Sequence, residues 1–238
     1  MADLLHDLQK MTFRIIAILM IIFGLAGCAV TSDPGLRRLA KTDIDLVTDA
    51  YIDEQEALCR ELTIKLYKRN PLELQRQPGM TISRRLQQLF QRPRALHFTE
   101  LNSETGTNAI ELALSDDFHG DRVFALMTGI TSMLDASYGG RTEYFMLDSL
   151  SADRLTKSAR NLEIVLWRLK HRGPSADTPW LLTNSLDPEQ PNLSFERLFG
   201  KMIALQDMMA TISNGGEQRN INRVVQGIAS AALFPLGI

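Results

Sequence analysis

Residues 151–174 read SADRLTKSARNLEIVLWRLKHRGP, and this stretch decides the fold class. Ser151 is placed to cap a helix, since a serine oxygen can accept a free amide of the first turn. Behind it come Leu155, Ala159, Leu162, Val165, Leu166 and Leu169, mostly at steps of three and four. That spacing gathers them into one apolar stripe on a helix. Lys170, His171 and Arg172 fall at the end, where cations suit the negative pole of the helix dipole. Gly173-Pro174 is a stop signal.

The same grammar extends outward. Upstream, Asp121 opens a segment with Val123, Phe124, Met127, Ile130, Thr131, Met133 and Leu134, largely apolar around its axis. A helix of that kind belongs in the middle of a bundle, with Gly139-Gly140 ending it. Further upstream, Leu36, Leu39, Ile44, Val47, Tyr51, Leu58, Leu62 and Leu66 predict one long first helix. Pro34 suits its first turn and Asn70-Pro71 its end. Between these lie an expected loop over 72–79, a short helix capped by Thr81 or Ser83, a loop over 102–108 and a short helix over 109–114. Leu96-His97-Phe98 reads as extended or loop, and Tyr144 to Leu147 as a helical turn or a buried extended piece. Downstream, 175–192 reads as a long loop rich in proline, with Trp180-Leu181-Leu182 able to tuck inward. A helix from Ser194 is expected to end at Asn214-Gly215-Gly216, and a last helix follows from Ile221 to Leu233. No stretch alternates convincingly at the strand period. The expectation is an all-α fold, a compact bundle of about six to eight helices with a long first helix.

The N-terminus carries a different message. Lys10 and Arg14 precede Ile15 to Leu25, apolar apart from Gly24, and Leu25-Ala26-Gly27-Cys28 follows directly. A basic flank, an apolar run and small residues form an export signal. The run is about half of the roughly 20 residues a spanning helix needs. The four residues resemble the lipobox of bacterial lipoproteins. The resemblance covers about the first 28 residues only and implies nothing about the body. It implies cleavage before Cys28, acylation of the Cys28 thiol and amino group, and anchoring to the membrane through those chains. One acyl chain binds marginally, so the several chains typical of the family give firm anchoring. Ala29 stands where many Gram-negative lipoproteins carry an Asp that retains them at the inner membrane. Its presence favours the outer membrane, facing the periplasm. Asp3 and Asp7 suit a signal poorly, so Met11 is the expected true start. The expected organisation is therefore a signal peptide over 1–27, a lipidated tether over 28–34 and a single helical domain over 35–238.

Composition narrows the function classes. The chain is 45% hydrophobic with a formal charge of −2. That is ordinary for a globular fold and gives no polybasic surface for nucleic acid. Cys28 and Cys59 are the only cysteines. With Cys28 assigned to lipid, Cys59 has no partner within the chain. Its place between Leu58 and Leu62 predicts a buried, inert thiol.

Catalytic motifs are scarce. There is no Gly-x-Ser-x-Gly elbow and no His-Glu-x-x-His pair. His97, His119 and His171 remain after cleavage, and His171 is explained by its helix end. Asp116-Asp117-Phe118-His119 is the sharpest ligand-like cluster, but sequential neighbours rarely converge on one ion. A polar turn capping the helix at Asp121 is the better reading, so no metal or other cofactor is assigned. Glu104, Glu111, Glu143 and Glu163 offer carboxylates for glycoside cleavage, yet nothing marks one as an acid. Met127, Met133 and Met146, then Met202, Met208 and Met209, follow the Leu and Ile spacing, as core fillers do.

Two features suit interaction. Arg84, Arg85, Arg92 and Arg94 form a basic segment able to meet phosphate or an acidic partner. Trp180 sits in the long loop, where binding residues concentrate. The sequence therefore points to a non-enzymatic, outer-membrane-anchored scaffold or accessory factor of an envelope assembly, with a protein partner. The alternatives are a carrier enclosing a lipid or other apolar ligand in a cavity of about 300–1,000 Å³, and an envelope hydrolase using carboxylates.

Overall fold

The structure, a computed structural model, describes residues 43–141, 144, 150–175, 178–184 and 192–232, with side chains from 45 to 215 within those ranges. Residues 1–42, with the Cys28 motif and Pro34, lie outside it, as do Met146 and Glu143. The chain divides into one unit of 1–46 with 145–147 and a second of 47–144 with 148–238. The buried core belongs to the second unit.

Seven α-helices are described: α1 (Asp43–Arg69), α2 (Pro71–Gln75), α3 (Ile82–Phe90), α4 (Gly106–Ala113), α5 (Arg122–Ser137), α6 (Ala152–His171) and α7 (Ser194–Ala232). Among the described residues, a 3-10 turn covers Thr99–Leu101 and the one extended pairing is an isolated bridge between Ser175 and Thr178. The protein is an all-α bundle, and the first helix among the described residues, α1, is long.

The caps act where the local sequence placed them. Thr81 Oγ1 accepts from Arg84 N at 3.2 Å, Asp121 Oδ1 from Phe124 N at 2.8 Å, and Ser151 Oγ from Arg154 N at 3.4 Å. Each satisfies an amide that has no partner within its own helix. Helix α5 is central. Val123 to Ile130 are all buried, and Met133, Leu134 and Ser137 continue the contact. Helices α3, α4 and α6 all pack against it. Its approach to α4 depends on Gly129. A Cβ there would lie 2.6 Å from the Gly106 carbonyl oxygen and 2.6 Å from Ile110 Cγ1. The contact is fixed by Ser132, whose Oγ accepts from Gly106 N at 2.7 Å.

Helix α6 buries Leu155, Ala159, Leu162, Val165 and Leu169, and runs along α7, which buries Phe195, Leu198, Phe199, Met202 and Met209. Gln206, fully buried on α7, joins three segments of the bundle. Its amide donates to the Oη of Tyr138, at the end of α5, and accepts from Ser158 Oγ of α6 at 3.1 Å. Met127, Met133, Met202 and Met209 are buried as core fillers, while Met208 is exposed.

Two elements differ from expectation. The loop over 72–79 contains most of α2, with Pro71 at its first position, where the missing amide costs nothing. Helix α7 passes through Asn214-Gly215-Gly216 and continues to Ala232, so the two expected C-terminal helices are one. Each glycine costs a helix only about 1 kcal/mol relative to alanine. That is too little to break a helix by itself.

Candidate functional site

The densest polar chemistry gathers around the N-terminus of α5. Asp121 caps that helix through Oδ1, and its Oδ2 accepts from Tyr67 Oη of α1 at 2.8 Å and from Arg85 Nε of α3 at 3.1 Å. Arg85 is fully buried. Its other nitrogens grip both oxygens of Glu100, at 2.7 and 2.9 Å, and Nη1 also donates to Gln88 Oε1 at 3.0 Å. The guanidinium lies 3.8 Å from the Phe124 ring centroid. Next in sequence, Arg122 N donates to the buried Glu73 Oε2 at 2.6 Å. The Arg122 guanidinium caps the carbonyls of Ala113, Ser115 and Phe118 and covers the Trp180 ring at 3.8 Å.

The electrostatics follow from this geometry. Burial pushes the Asp121 carboxyl up to about 6, against the opposing pull of the Phe124 amide, Arg85 and Tyr67. Burial, and then the Asp121 charge, push the Tyr67 phenol above its ordinary range. Arg85 is held above its usual value by Glu100 and Asp121, although burial opposes them. A perturbed carboxyl can mark a catalytic group. Here both oxygens are engaged by structural donors from α1, α3 and α5.

The four arginines singled out from sequence do not form one free patch. Arg85 points inward, so it cannot present charge to a partner. Arg94 bonds to both Glu56 and Asp135, and Arg92 reaches Glu56 at 2.8 Å. Arg60 completes the set on Glu56 at 2.7 Å. These donors hold the Glu56 carboxyl below its usual value, outweighing its partial burial. Arg84 is exposed and donates to the Gly79 carbonyl at 3.1 Å. Trp180 is half-buried under Arg122. Its segment is clamped by Asn70, whose side chain accepts from Leu182 N at 2.8 Å and donates to Leu182 O at 2.9 Å. The expected inward tuck occurs, with Leu181 buried.

Two histidines make backbone contacts. His97 Nδ1 is 3.2 Å from Ser103 O, and His171 Nδ1 is 2.7 Å from Trp167 O, with its ring stacked on Trp167 at 4.7 Å. No group of three or more metal-ligating side chains occurs among the described residues. Cys59 is buried and free, and burial pushes its thiol up to about 12.

Two concave features among the described residues bear on ligand binding. An open groove of about 600 Å³ is lined by Glu104, Asn108, Glu111, Ser115, Asp116 and Arg172, among others. Glu111 is tied to Arg168 and, at 3.5 Å, to Arg172. A smaller cavity, about 20 Å³, lies between α1 and α5.

Tyr67, Glu73 and Glu100 belong to no motif that would single them out in the sequence. The inward turn of Arg85 did leave a trace. It stands three residues after Ile82 and four before Leu89, on the apolar side of α3. Comparison with protein-family profiles, curated proteins and solved structures gives no match.

Proposed function

We propose that this chain is a bacterial lipoprotein, held on the periplasmic face of the outer membrane through acylated Cys28, whose helical body is a non-enzymatic accessory factor of an envelope assembly. The observation that carries the reading is Leu25-Ala26-Gly27-Cys28 directly after the apolar run from Ile15. A basic flank, an apolar segment too short to span, and small residues before the cysteine are what such an export signal requires.

The body supports a binding role over catalysis. Asp121, the carboxyl moved furthest toward neutral pH among those with a resolved shift, is engaged on both oxygens and buried. Cys59 is buried with its thiol raised, the opposite of an activated nucleophile. The carrier reading requires an enclosed apolar chamber. The cavity between α1 and α5 is too small, and the large groove is open and lined mainly by polar groups. No described helix is long and apolar enough to cross a membrane, so the proposed attachment rests on Cys28.

The test is cross-linking in intact envelopes followed by purification of the full-length chain. Recovery of one protein in fixed ratio supports the accessory role. Recovery of bound lipid without protein favours a carrier and overturns it.

A further inference from the structure

The small cavity between α1 and α5 has an unusual lining. Ile52, Gln55, Glu56 and Cys59 face it from α1, and Thr131, Leu134, Asp135 and Tyr138 from α5 and its C-terminal cap. Both sets follow the spacing i, i+3, i+4, i+7, so two matched helix faces meet there. Phe90 and Arg94 close a further side. Four buried polar atoms in this lining have no hydrogen-bond partner among the described residues: Gln55 Oε1, Gln55 Nε2, Thr131 Oγ1 and Arg94 Nε. Gln55 is only 1% exposed and Thr131 3%.

Gln206 shows what a satisfied buried amide looks like in this fold, with partners at both ends. Gln55 has no such partner among the described residues, and an unsatisfied buried amide is costly. Among the described residues, four of the seven such atoms belong to residues around this one space.

We propose that this cavity is a built hydration site, holding one ordered water that bridges Gln55, Thr131 and Arg94 and joins α1 to α5. Its volume of about 20 Å³ exceeds the roughly 10–15 Å³ that one water needs. The charged groups around it are already paired with one another, Arg94 with Glu56 and Asp135. Water can accept from Arg94 Nε and from the Gln55 amide, and donate to Gln55 Oε1 and Thr131 Oγ1. It meets both donors and acceptors at no net charge in so little space. The site explains why α1 carries glutamine on its buried face between Ile52 and Leu58.

The test is oxygen-17 magnetic relaxation dispersion on the full-length chain in detergent, which counts long-lived internal waters. Gln55→Leu is compared with the native chain, and retained helical circular dichroism confirms folding. The proposal expects the variant to lose about one long-lived water. Thr131→Val removes a different partner and gives a second reading if Gln55→Leu fails to fold. Unchanged dispersion amplitude in a folded variant overturns the proposal. So does a thermal midpoint of the native chain that depends on chloride or potassium at fixed ionic strength, which would mark an ion as the occupant.

Discussion

Replacing Arg85 with methionine tests whether this arginine is a structural counter-charge or a surface binder. The side chain is fully buried and holds Asp121, Glu100 and Gln88 while covering Phe124. Methionine roughly keeps the volume but removes the charge. Glu100 is partly exposed and can turn to water, whereas Asp121 cannot. Removing one partner of a buried pair costs about 3–5 kcal/mol. For a domain of this size that lowers the thermal midpoint by roughly 6–20 °C. The loss should depend on pH. The Asp121 carboxyl already sits near 6, and without Arg85 it rises further. The orphaned carboxylate is then relieved by protonation as pH falls. Urea unfolding at pH 8 and pH 5 measures both effects, with the larger penalty at pH 8. A penalty below about 1 kcal/mol at pH 8, the range of an exposed ion pair, would refute the buried role. Equal penalties at both pH values would refute the coupling to Asp121.

The native chain has its own pH signature. Asp121 is raised in the folded state, so its contribution to stability is complete below its unfolded value of 3.8 and is lost as pH rises through about 6. Glu56, held by its arginines, and Glu196, held by Lys170 and Asn184 against its burial, are lowered, so their contributions are present above 4.5 and lost as pH falls through their folded values. Stability should therefore rise on acidification from pH 7 to about 5 and fall below about 4, as urea midpoints will show. Gly129→Ala should destabilise by about 1–3 kcal/mol through overpacking against Gly106 and Ile110, despite a helix-propensity gain of about 1 kcal/mol. Thermal unfolding of the variant decides the sign. Cys59 should resist a maleimide in the folded chain at pH 7.5 and react at once in urea, because it is buried with its thiol held protonated.

How much of the fold was legible depends on how local each cause is. Ser151, Asp121 and Asn70-Pro71 act within a few residues of themselves, so the caps and the end of α1 could be read directly. The central place of α5 followed from an apolar pattern that wraps its circumference. Arg85 could not be placed by composition, because its counter-charges come from Glu100 and Asp121, 15 and 36 residues away. The same distance hid the cluster on Glu56, where Arg92 and Arg94 arrive from 36 and 38 residues downstream. Of the four arginines, Arg85 and Arg94 turn into the bundle, while Arg84 and Arg92 stay exposed. Gly215-Gly216 misled for the opposite reason. It is a strong local signal with a small free-energy cost, and α7 continues through it.

The proposed location and role both rest on acylation of Cys28. Metabolic labelling with an alkyne fatty acid, with membrane fractionation of the native chain and Cys28→Ala, measures it. Label is expected on the native protein in the outer-membrane fraction, with both label and membrane association lost in the variant. An unlabelled native chain, or a Cys28→Ala variant that stays in the membrane fraction unchanged, would contradict the lipid anchor.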